Sequence, residues 1–229
     1  MMNTKKGNMY EFVTHTWNPI KGKCLHDCEY CYMKAINPNA KAPRLVKSEF
    51  ATNLGNNNFI FIGSSIDMFA NDIPDEWIKE VLNFCLENHK RGNQNAYLLQ
   101  SKNPERFLDF MDHPIMKRCV FATTIESNHF YPEIMNNAPD IHDRAKAMEI
   151  ISQKGFVTMV TAEPLLQFDL LEMEKLILQC QPRKVNFGKN TRRELQLPEP
   201  TPEEAKELIS KIKLKTKVEV KRNAWQWNL

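Results

Sequence analysis

The sequence predicts an α/β fold, and within that class an incomplete (partial) TIM barrel of about six to seven βα units. Short runs rich in β-branched and aromatic residues alternate with amphipathic stretches, as in parallel strands joined by crossover helices. A closed barrel of eight units typically needs about 250 residues, whereas this chain has 229. A flavodoxin-like open sheet is the alternative architecture.

The predicted strands are each followed by polar or charged residues. The strands lie near residues 10–16, 59–63, 95–100, 118–125, 156–162, 184–188 and 217–221. From the second strand onward, the stretches that follow read GSSIDMF, QSKNP, TTIES, AEPLL, GKNT and KRN. Barrel enzymes carry their chemistry at the carboxyl ends of the strands. The barrel explains this polarity, and the flavodoxin-like sheet leaves it unexplained.

The predicted helices have clearer boundaries than the strands. Asn103 and Thr201 are predicted to cap two of them, because a proline follows each at the first helical position. Gly155 is a natural stop for the helix before it. The helices are predicted over residues 72–90, 103–111, 140–155, 169–180 and 201–213.

Composition favours one folded domain over residues 1–229. The hydrophobic fraction is 42%, the charged fraction is 26% and the net charge is +3, all ordinary for a globular protein. The seven glycines are never closer together than Gly55 and Gly63. This spacing excludes a G-x-G-x-x-G loop, a Walker A loop and a G-x-S-x-G elbow.

Neither a membrane span nor a signal peptide is predicted, and we expect a cytoplasmic protein without membrane contact. In a reducing compartment, cysteines are more often thiols or metal ligands than disulfides. Cys85, Cys119 and Cys180 stand in apolar surroundings and are predicted to be buried free thiols.

Cys24, Cys28 and Cys31 form a C-x3-C-x2-C pattern directly after the first predicted strand. Short-spaced cysteines of one loop can reach different corners of an iron-sulfur cluster. Three ligands would leave one iron of a 4Fe-4S cluster open, as in catalytic metal sites. A zinc site with His26 as the fourth ligand and three unrelated thiols are the alternatives.

This pattern, with the aromatic Tyr30 before the third cysteine, resembles the signature of the radical S-adenosylmethionine (radical SAM) superfamily. The resemblance implies a 4Fe-4S cluster on Cys24, Cys28 and Cys31. It also implies that S-adenosylmethionine binds the open iron and is cleaved reductively to a 5′-deoxyadenosyl radical. An external electron donor of the flavodoxin or ferredoxin type is then required.

Further blocks resemble an uncharacterised radical SAM family that is frequent in phage genomes, and more distantly spore photoproduct lyase. The blocks are Thr16-Trp17-Asn18-Pro19, SIDMFANDIPDEW, LLQSKNPERF, TTIES and AEPLL. The chain departs from that family after the sixth strand, where Phe187-Gly188-Lys189-Asn190 replaces a glycine-rich stretch.

The resemblance also implies residues for S-adenosylmethionine. Glu126 is expected at the ribose or ammonium, and Tyr30 is expected at the adenine. The loop after the second strand is expected to bind the methionyl ammonium through Gly63, Ser64, Ser65 and Asp67. For each loop residue the structural alternative is a cap that satisfies backbone donors.

Substrate is expected at a mouth lined by Lys102, Glu163, Lys189 and Lys221, which all lie just after strands. A lysine beside a glutamate could equally be a stabilising ion pair. We expect hydrogen abstraction from a nucleic acid or nucleotide, by a protein that is a monomer. The rival class is a non-enzymatic zinc- or cluster-bearing module that binds nucleic acid.

Overall fold

The computed structural model describes residues 2–4, 7 and 9–228. Its strands are β1 (Asn3–Thr4), β2 (His15–Trp17), β3 (Ile20–Lys21), β4 (Arg44–Leu45), β5 (Phe59–Ile62), β6 (Ala96–Gln100), β7 (Cys119–Thr124), β8 (Val157–Ala162), β9 (Lys184–Phe187) and β10 (Lys217–Val220).

Six α-helices and four 3-10 helices connect the described strands. The α-helices are α1 (Tyr32–Ile36), α2 (Asp75–Lys90), α3 (Pro132–Met135), α4 (Ile141–Gln153), α5 (Leu170–Gln179) and α6 (Pro202–Lys213). The 3-10 helices span Lys47–Ala51, Pro104–Phe110, Pro114–Arg118 and Arg222–Trp227. Among the described residues, no helix has both the length and the apolar composition that crossing a membrane requires.

One sheet of eight strands organises the fold. Its order is β1-β2-β5-β6-β7-β8-β9-β10, and every pair from β2 to β10 is parallel. Apart from β3 and β4, which pair separately, neighbouring strands of the sheet follow one another along the chain. A doubly wound sheet would reverse direction at an internal switch point. The α/β prediction is confirmed, the flavodoxin-like order is absent from the described sheet, and the partial barrel stays a prediction.

The two faces of the sheet carry different layers. Val81 of α2 and Ile209 of α6 belong to the large core on one face, together with Leu99 of β6. On the other face a smaller apolar cluster forms, in which Tyr10 and Val13 of the N-terminal segment contact sheet residues. The sheet is therefore covered by helices on one side and partly closed by the chain's own N-terminal segment on the other.

The prediction for the first strand was too long. Only His15–Trp17 forms a strand paired with β5; Thr14 still donates its backbone N–H to the Phe59 carbonyl at 2.9 Å, and residues 10–13 leave the sheet. The apolar side chains of Tyr10, Phe12 and Val13 pack against the second face of the sheet instead of extending the strand. The stretch near Asn103 also differs, because it forms the 3-10 helix Pro104–Phe110 and the Asn103 side chain caps nothing.

The other element predictions hold within a few residues. Thr201 caps α6 through a capping box with Glu204, and Pro202 is its first residue. Helix α4 ends at Gln153, two residues before Gly155, which adopts φ +86°. Cys85, Cys119 and Cys180 are buried free thiols, as predicted. Local rules of capping and burial explain these agreements.

Gly22 allows the backbone after β3 to approach closely the backbone that precedes β4. Strands β3 and β4 pair antiparallel, and Gly22 follows β3 with φ +149°. A Cβ at this position would lie 2.6 Å from the Cα of Pro43. Backbone meets backbone there, so no side-chain rotation could relieve the clash.

We expect Gly22→Ala to destabilise the fold more than Gly92→Ala. Both glycines adopt a positive φ, but a Cβ at Gly92 would meet nothing within 4 Å. Overpacking typically costs about 1–3 kcal/mol, and we expect that difference between the two free energies of unfolding. Denaturant titration of both variants measures it. Equal free energies would show that the backbone around Gly22 and Pro43 relaxes freely.

Candidate functional site

The three clustered cysteines lie in one loop at the carboxyl end of the sheet. We call residues 22–31, between β3 and α1, the cysteine loop. All three thiols are free. Cys28 is buried, whereas Cys24 and Cys31 are partly exposed. Three thiols of one short segment therefore stand at the sheet end where barrel enzymes place their chemistry.

Two asparagines after α3 hold the backbone of the cysteine loop. The Asn137 backbone N–H donates to the His26 carbonyl at 3.0 Å, and its side chain donates to the Leu25 carbonyl at 3.0 Å. Asn136 donates its side-chain N–H to the Asp27 carbonyl at 2.6 Å. In the described structure these loop carbonyls have no partner in a helix or strand, and the two asparagines supply their hydrogen bonds.

Asp67 fixes the side of the cysteine loop that contains Cys24. Its Oδ2 accepts from His26 Nε2 at 2.8 Å, from the Ser101 hydroxyl at 2.9 Å and from the Lys102 backbone N–H at 2.8 Å. Its Oδ1 accepts from the Phe69 backbone N–H at 2.9 Å. One carboxylate therefore joins the cysteine loop to the loops that follow β5 and β6.

Glu126 holds the other side of the loop. It is fully buried, and its Oε1 accepts from Lys102 Nζ at 2.8 Å and from the Tyr30 hydroxyl. Its Oε2 accepts from Arg144 Nη1 at 2.9 Å. Lys102 therefore contacts both carboxylates, through its backbone at Asp67 and through its side chain at Glu126.

Both carboxylates have lowered pKa values despite burial. Burial alone would raise the pKa of Glu126, but Arg144 and Lys102 outweigh it and lower that pKa from 4.5 to about 2. The pKa of Asp67 is also lowered, because hydrogen bonding and charge from His26 overcome its burial. Both groups are ionised at neutral pH.

The loop after β5, expected to hold the methionyl ammonium, is tied to Asn18. Asn18 Oδ1 accepts from the Ser65 backbone N–H at 2.9 Å and from the Ser65 hydroxyl at 3.0 Å. The Ser64 hydroxyl lies 3.2 Å from the Asn18 amide, and Tyr32 donates to the Ser64 carbonyl. Gly63 adopts φ +79°. The roles expected for these residues stay predictions.

Glu163 and Lys221 face each other after β8 and β10. Lys221 Nζ is 3.9 Å from Glu163 Oε2 and 4.2 Å from the centre of the Tyr10 ring. A Cβ on Gly188 would lie 2.8 Å from Glu163 Cδ. The glycine therefore provides the space in which the Glu163 side chain lies.

Lys189 does not join that pair in the described structure. Its Nζ is 3.9 Å from Glu199 Oε2 and 5.3 Å from the centre of the Trp227 ring. Each lysine of the predicted mouth thus faces a carboxylate: Lys102 faces Glu126, Lys189 faces Glu199 and Lys221 faces Glu163. These carboxylates therefore largely offset the positive charge of the three lysines predicted at the mouth.

Three residues of this network had no role in the radical SAM interpretation of the sequence. Asn18 belongs to the quoted Trp-Asn-Pro block, and its position before the cysteines was the available signal. His26 was considered only as a zinc ligand. Arg144 gave no signal, because an arginine in an amphipathic helix usually faces solvent, yet its side chain is fully buried.

The donor set of the cysteine loop fits a cluster of several irons. Within residues 2–4, 7 and 9–228, no three His, Cys, Asp or Glu side chains are arranged to hold a metal ion. A cluster is wider than one ion, so its thiolates need not converge on one point. Burial, followed by the charge of Asp67, raises the pKa of Cys24 to about 12, so binding would release a proton.

Residues 8–178 match the sequence model of a family described as "Protein of unknown function (DUF5131)". No curated protein matches the chain. Among solved structures, a spore photoproduct lyase mutant matches with 14% identity and a TM-score of 0.58. The match covers 94% of this chain and 65% of the lyase chain, slightly under two thirds. This likeness shows a shared fold.

The radical S-adenosylmethionine methyltransferase TsrM from Kitasatospora setae also matches, with 14% identity and a TM-score of 0.44. That match covers 75% of this chain and 35% of the methyltransferase chain.

We expect Glu126→Gln to flatten the acid side of the stability profile. A lowered carboxyl pKa contributes stability above the unfolded value, and that stability is lost as pH falls from about 4.5 toward 2. The wild-type free energy of unfolding should therefore fall by up to roughly 3 kcal/mol more than that of the variant over this range. Denaturant titrations at several pH values measure the slope.

Glu87→Gln is the matched control, because Glu87 is exposed and pairs only with Lys90 in the described structure. Its slope should stay close to that of the wild type. If Glu126→Gln follows the wild-type slope as well, then Glu126 is not an ionised partner of Arg144 and Lys102.

Proposed function

The chain belongs to the DUF5131 family, and we propose that it is a radical S-adenosylmethionine enzyme. The observation that carries the proposal is the C-x3-C-x2-C set of free thiols, anchored between Asp67 and Glu126 at the carboxyl end of a parallel sheet. The fold shared with spore photoproduct lyase supports it. The finer resemblance to the phage family is part of the proposal.

Cys24, Cys28 and Cys31 would hold the 4Fe-4S cluster. When bound, the cluster supplies an electron for cleaving S-adenosylmethionine to methionine and a 5′-deoxyadenosyl radical. The chain's own contribution is to orient the loop. Asp67 holds His26, which lies between Cys24 and Cys28, and Glu126 holds Tyr30, which lies between Cys28 and Cys31. These contacts hold the cysteine loop in place without any contribution from a substrate.

The cofactor itself would contact the loop after β5. Gly63, Ser64 and Ser65 stay candidates for its methionyl end, because Asn18 already holds this loop in place. Asp67 and Glu126 have protein donors on both oxygens. We therefore propose that these two carboxylates mainly position the cysteine loop and that cofactor contact is their secondary role. Tyr30 is proposed to lie beside the adenine.

A nucleic acid or nucleotide is the proposed substrate class. The lyase structure holds AdoMet and a dinucleoside spore photoproduct, and the sheet end of this chain carries Lys102, Glu163, Lys189 and Lys221. Since Lys221 Nζ lies 3.9 Å from Glu163 Oε2, these two residues are the pair that we propose to orient the substrate. Their loops follow β8 and β10.

The zinc-bearing binding module is not favoured. Among the described residues, no three His, Cys, Asp or Glu side chains converge on one ion position, as a zinc site on the three cysteines and His26 would require. The single domain, the monomeric state, the cytoplasmic location and the external electron donor stay predictions that accompany the enzyme proposal.

We expect anaerobic reconstitution to load about four irons and four sulfides per chain. Replacing Cys24, Cys28 or Cys31 by Ala should abolish both the cluster and the reductive cleavage of S-adenosylmethionine to 5′-deoxyadenosine. Iron and sulfide analysis, the visible spectrum and chromatography of the nucleoside product measure these outcomes.

Cys85→Ala, Cys119→Ala and Cys180→Ala are the controls, because these thiols are buried apart from the loop. They should retain iron. Stoichiometric zinc without visible iron-sulfur absorption would contradict the proposed function.

For the substrate class, we expect cofactor-loaded protein to bind DNA, RNA or mononucleotides more weakly as salt rises. Lys189→Ala combined with Lys221→Ala should reduce both the affinity and its salt dependence, because lysine meets phosphate as a point charge. Binding measured at two salt concentrations tests this. Binding that ignores both salt and the substitutions would point to a peptide or small metabolite.

A further inference from the structure

Lys102, Glu126 and Arg144 form a buried triad with two cations and one anion. Lys102 Nζ and Arg144 Nη1 lie 2.8 Å and 2.9 Å from the two oxygens of Glu126. The side chains of Glu126 and Arg144 are 0% exposed, and that of Lys102 is 15% exposed. Two positive charges against one negative charge leave the triad with a net charge of +1.

Arg144 is not fully satisfied by the protein. Its Nη1 donates to Glu126 and to the Thr124 carbonyl at 2.9 Å, and its Nε donates to the Pro139 carbonyl at 2.8 Å. Its Nη2 is buried and has no hydrogen-bond partner in the described structure. A guanidinium stays charged in proteins. A buried donor without a partner costs free energy, and an added acceptor or a nearby negative charge would lower that cost.

The triad borders the part of the cysteine loop around Cys28. Tyr30, two residues after Cys28, donates its hydroxyl to Glu126, and Lys102 Nζ lies 4.9 Å from the centre of the Tyr30 ring. The net positive charge of the triad therefore lies beside the segment of the loop between Cys28 and Cys31.

The opposite side of the loop has a different electrostatic environment. Asp67 is negatively charged and accepts a hydrogen bond from His26, two residues after Cys24. Four donors stabilise the Asp67 carboxylate, including the imidazole of His26. The excess positive charge is therefore local to the Glu126 side of the loop.

We propose that the triad of Lys102, Glu126 and Arg144 eases reduction of the cluster that the cysteine loop holds. This inference rests on the proposed function. One electron enters from a donor of the flavodoxin or ferredoxin type, no bond forms or breaks, and the negative charge of the thiolate-bound cluster grows by one. Nearby net positive charge stabilises that product, and net charge is one of the factors that set cluster potentials.

The test is a redox titration of reconstituted protein without S-adenosylmethionine, followed by the visible spectrum and electron paramagnetic resonance. Lys102→Met removes a positive charge, so the ratio of reduced to oxidised cluster at a fixed potential should fall about tenfold or more. Glu126→Gln removes the negative charge and keeps the side-chain shape, so the ratio should rise by a similar factor. Lys102→Arg keeps the charge and should stay near the wild type.

Lys184→Met is the matched control, because Lys184 also pairs with a glutamate, Glu219, but lies at the opposite end of the sheet. It should leave the ratio unchanged. Three outcomes would overturn the inference: shifts of Lys102→Met and Glu126→Gln in the same direction, loss of iron in both variants, or no shift in either. In each of these cases, wild-type protein that binds iron would still support the proposed function. Wild-type protein without iron would overturn both.

Discussion

Two desolvated carboxylates, Asp67 and Glu126, are the constraint on which the arrangement of the cysteine loop depends. A carboxylate taken out of water must be surrounded by donors, and here the donors come from separate elements. His26 and Tyr30 reach them from the cysteine loop, whereas Lys102 reaches both from the loop after β6. Satisfying these two charges therefore brings distant segments together and orders the thiols before any cofactor binds.

The sheet determines where this can happen. Its parallel strands end at one edge, so the loops after β5, β6 and β7 deliver Asp67, Lys102 and Glu126 to neighbouring places. The second face is partly closed by apolar side chains of the N-terminal segment, including Val13. The charged groups are thereby collected at the carboxyl edge, where they can act on one loop.

The sequence allowed the elements to be predicted, because caps, buried stripes and glycine stops are local signals. Thr201 and its capping box are an example.

The partners of the site could not be predicted in this way. Tyr30 and Glu126 are 96 residues apart, and His26 and Asp67 are 41 apart. Arg144 was the hardest case, since only tertiary contact turns a helical arginine into a buried cation. The lysines at the predicted mouth were located correctly after their strands, but their pairing with carboxylates depends on side-chain directions that spacing does not reveal.

Lys102 makes the two carboxylates one system rather than two. Its backbone N–H is bonded to Asp67 and its ammonium is bonded to Glu126, so a shift of the loop after β6 alters both anchors of the cysteine loop together. Contributions of groups that share partners are not additive. Ordering the loop and balancing its charge are therefore inseparable in this fold, because the residue that links the two anchors is also one of the two cations that bind Glu126.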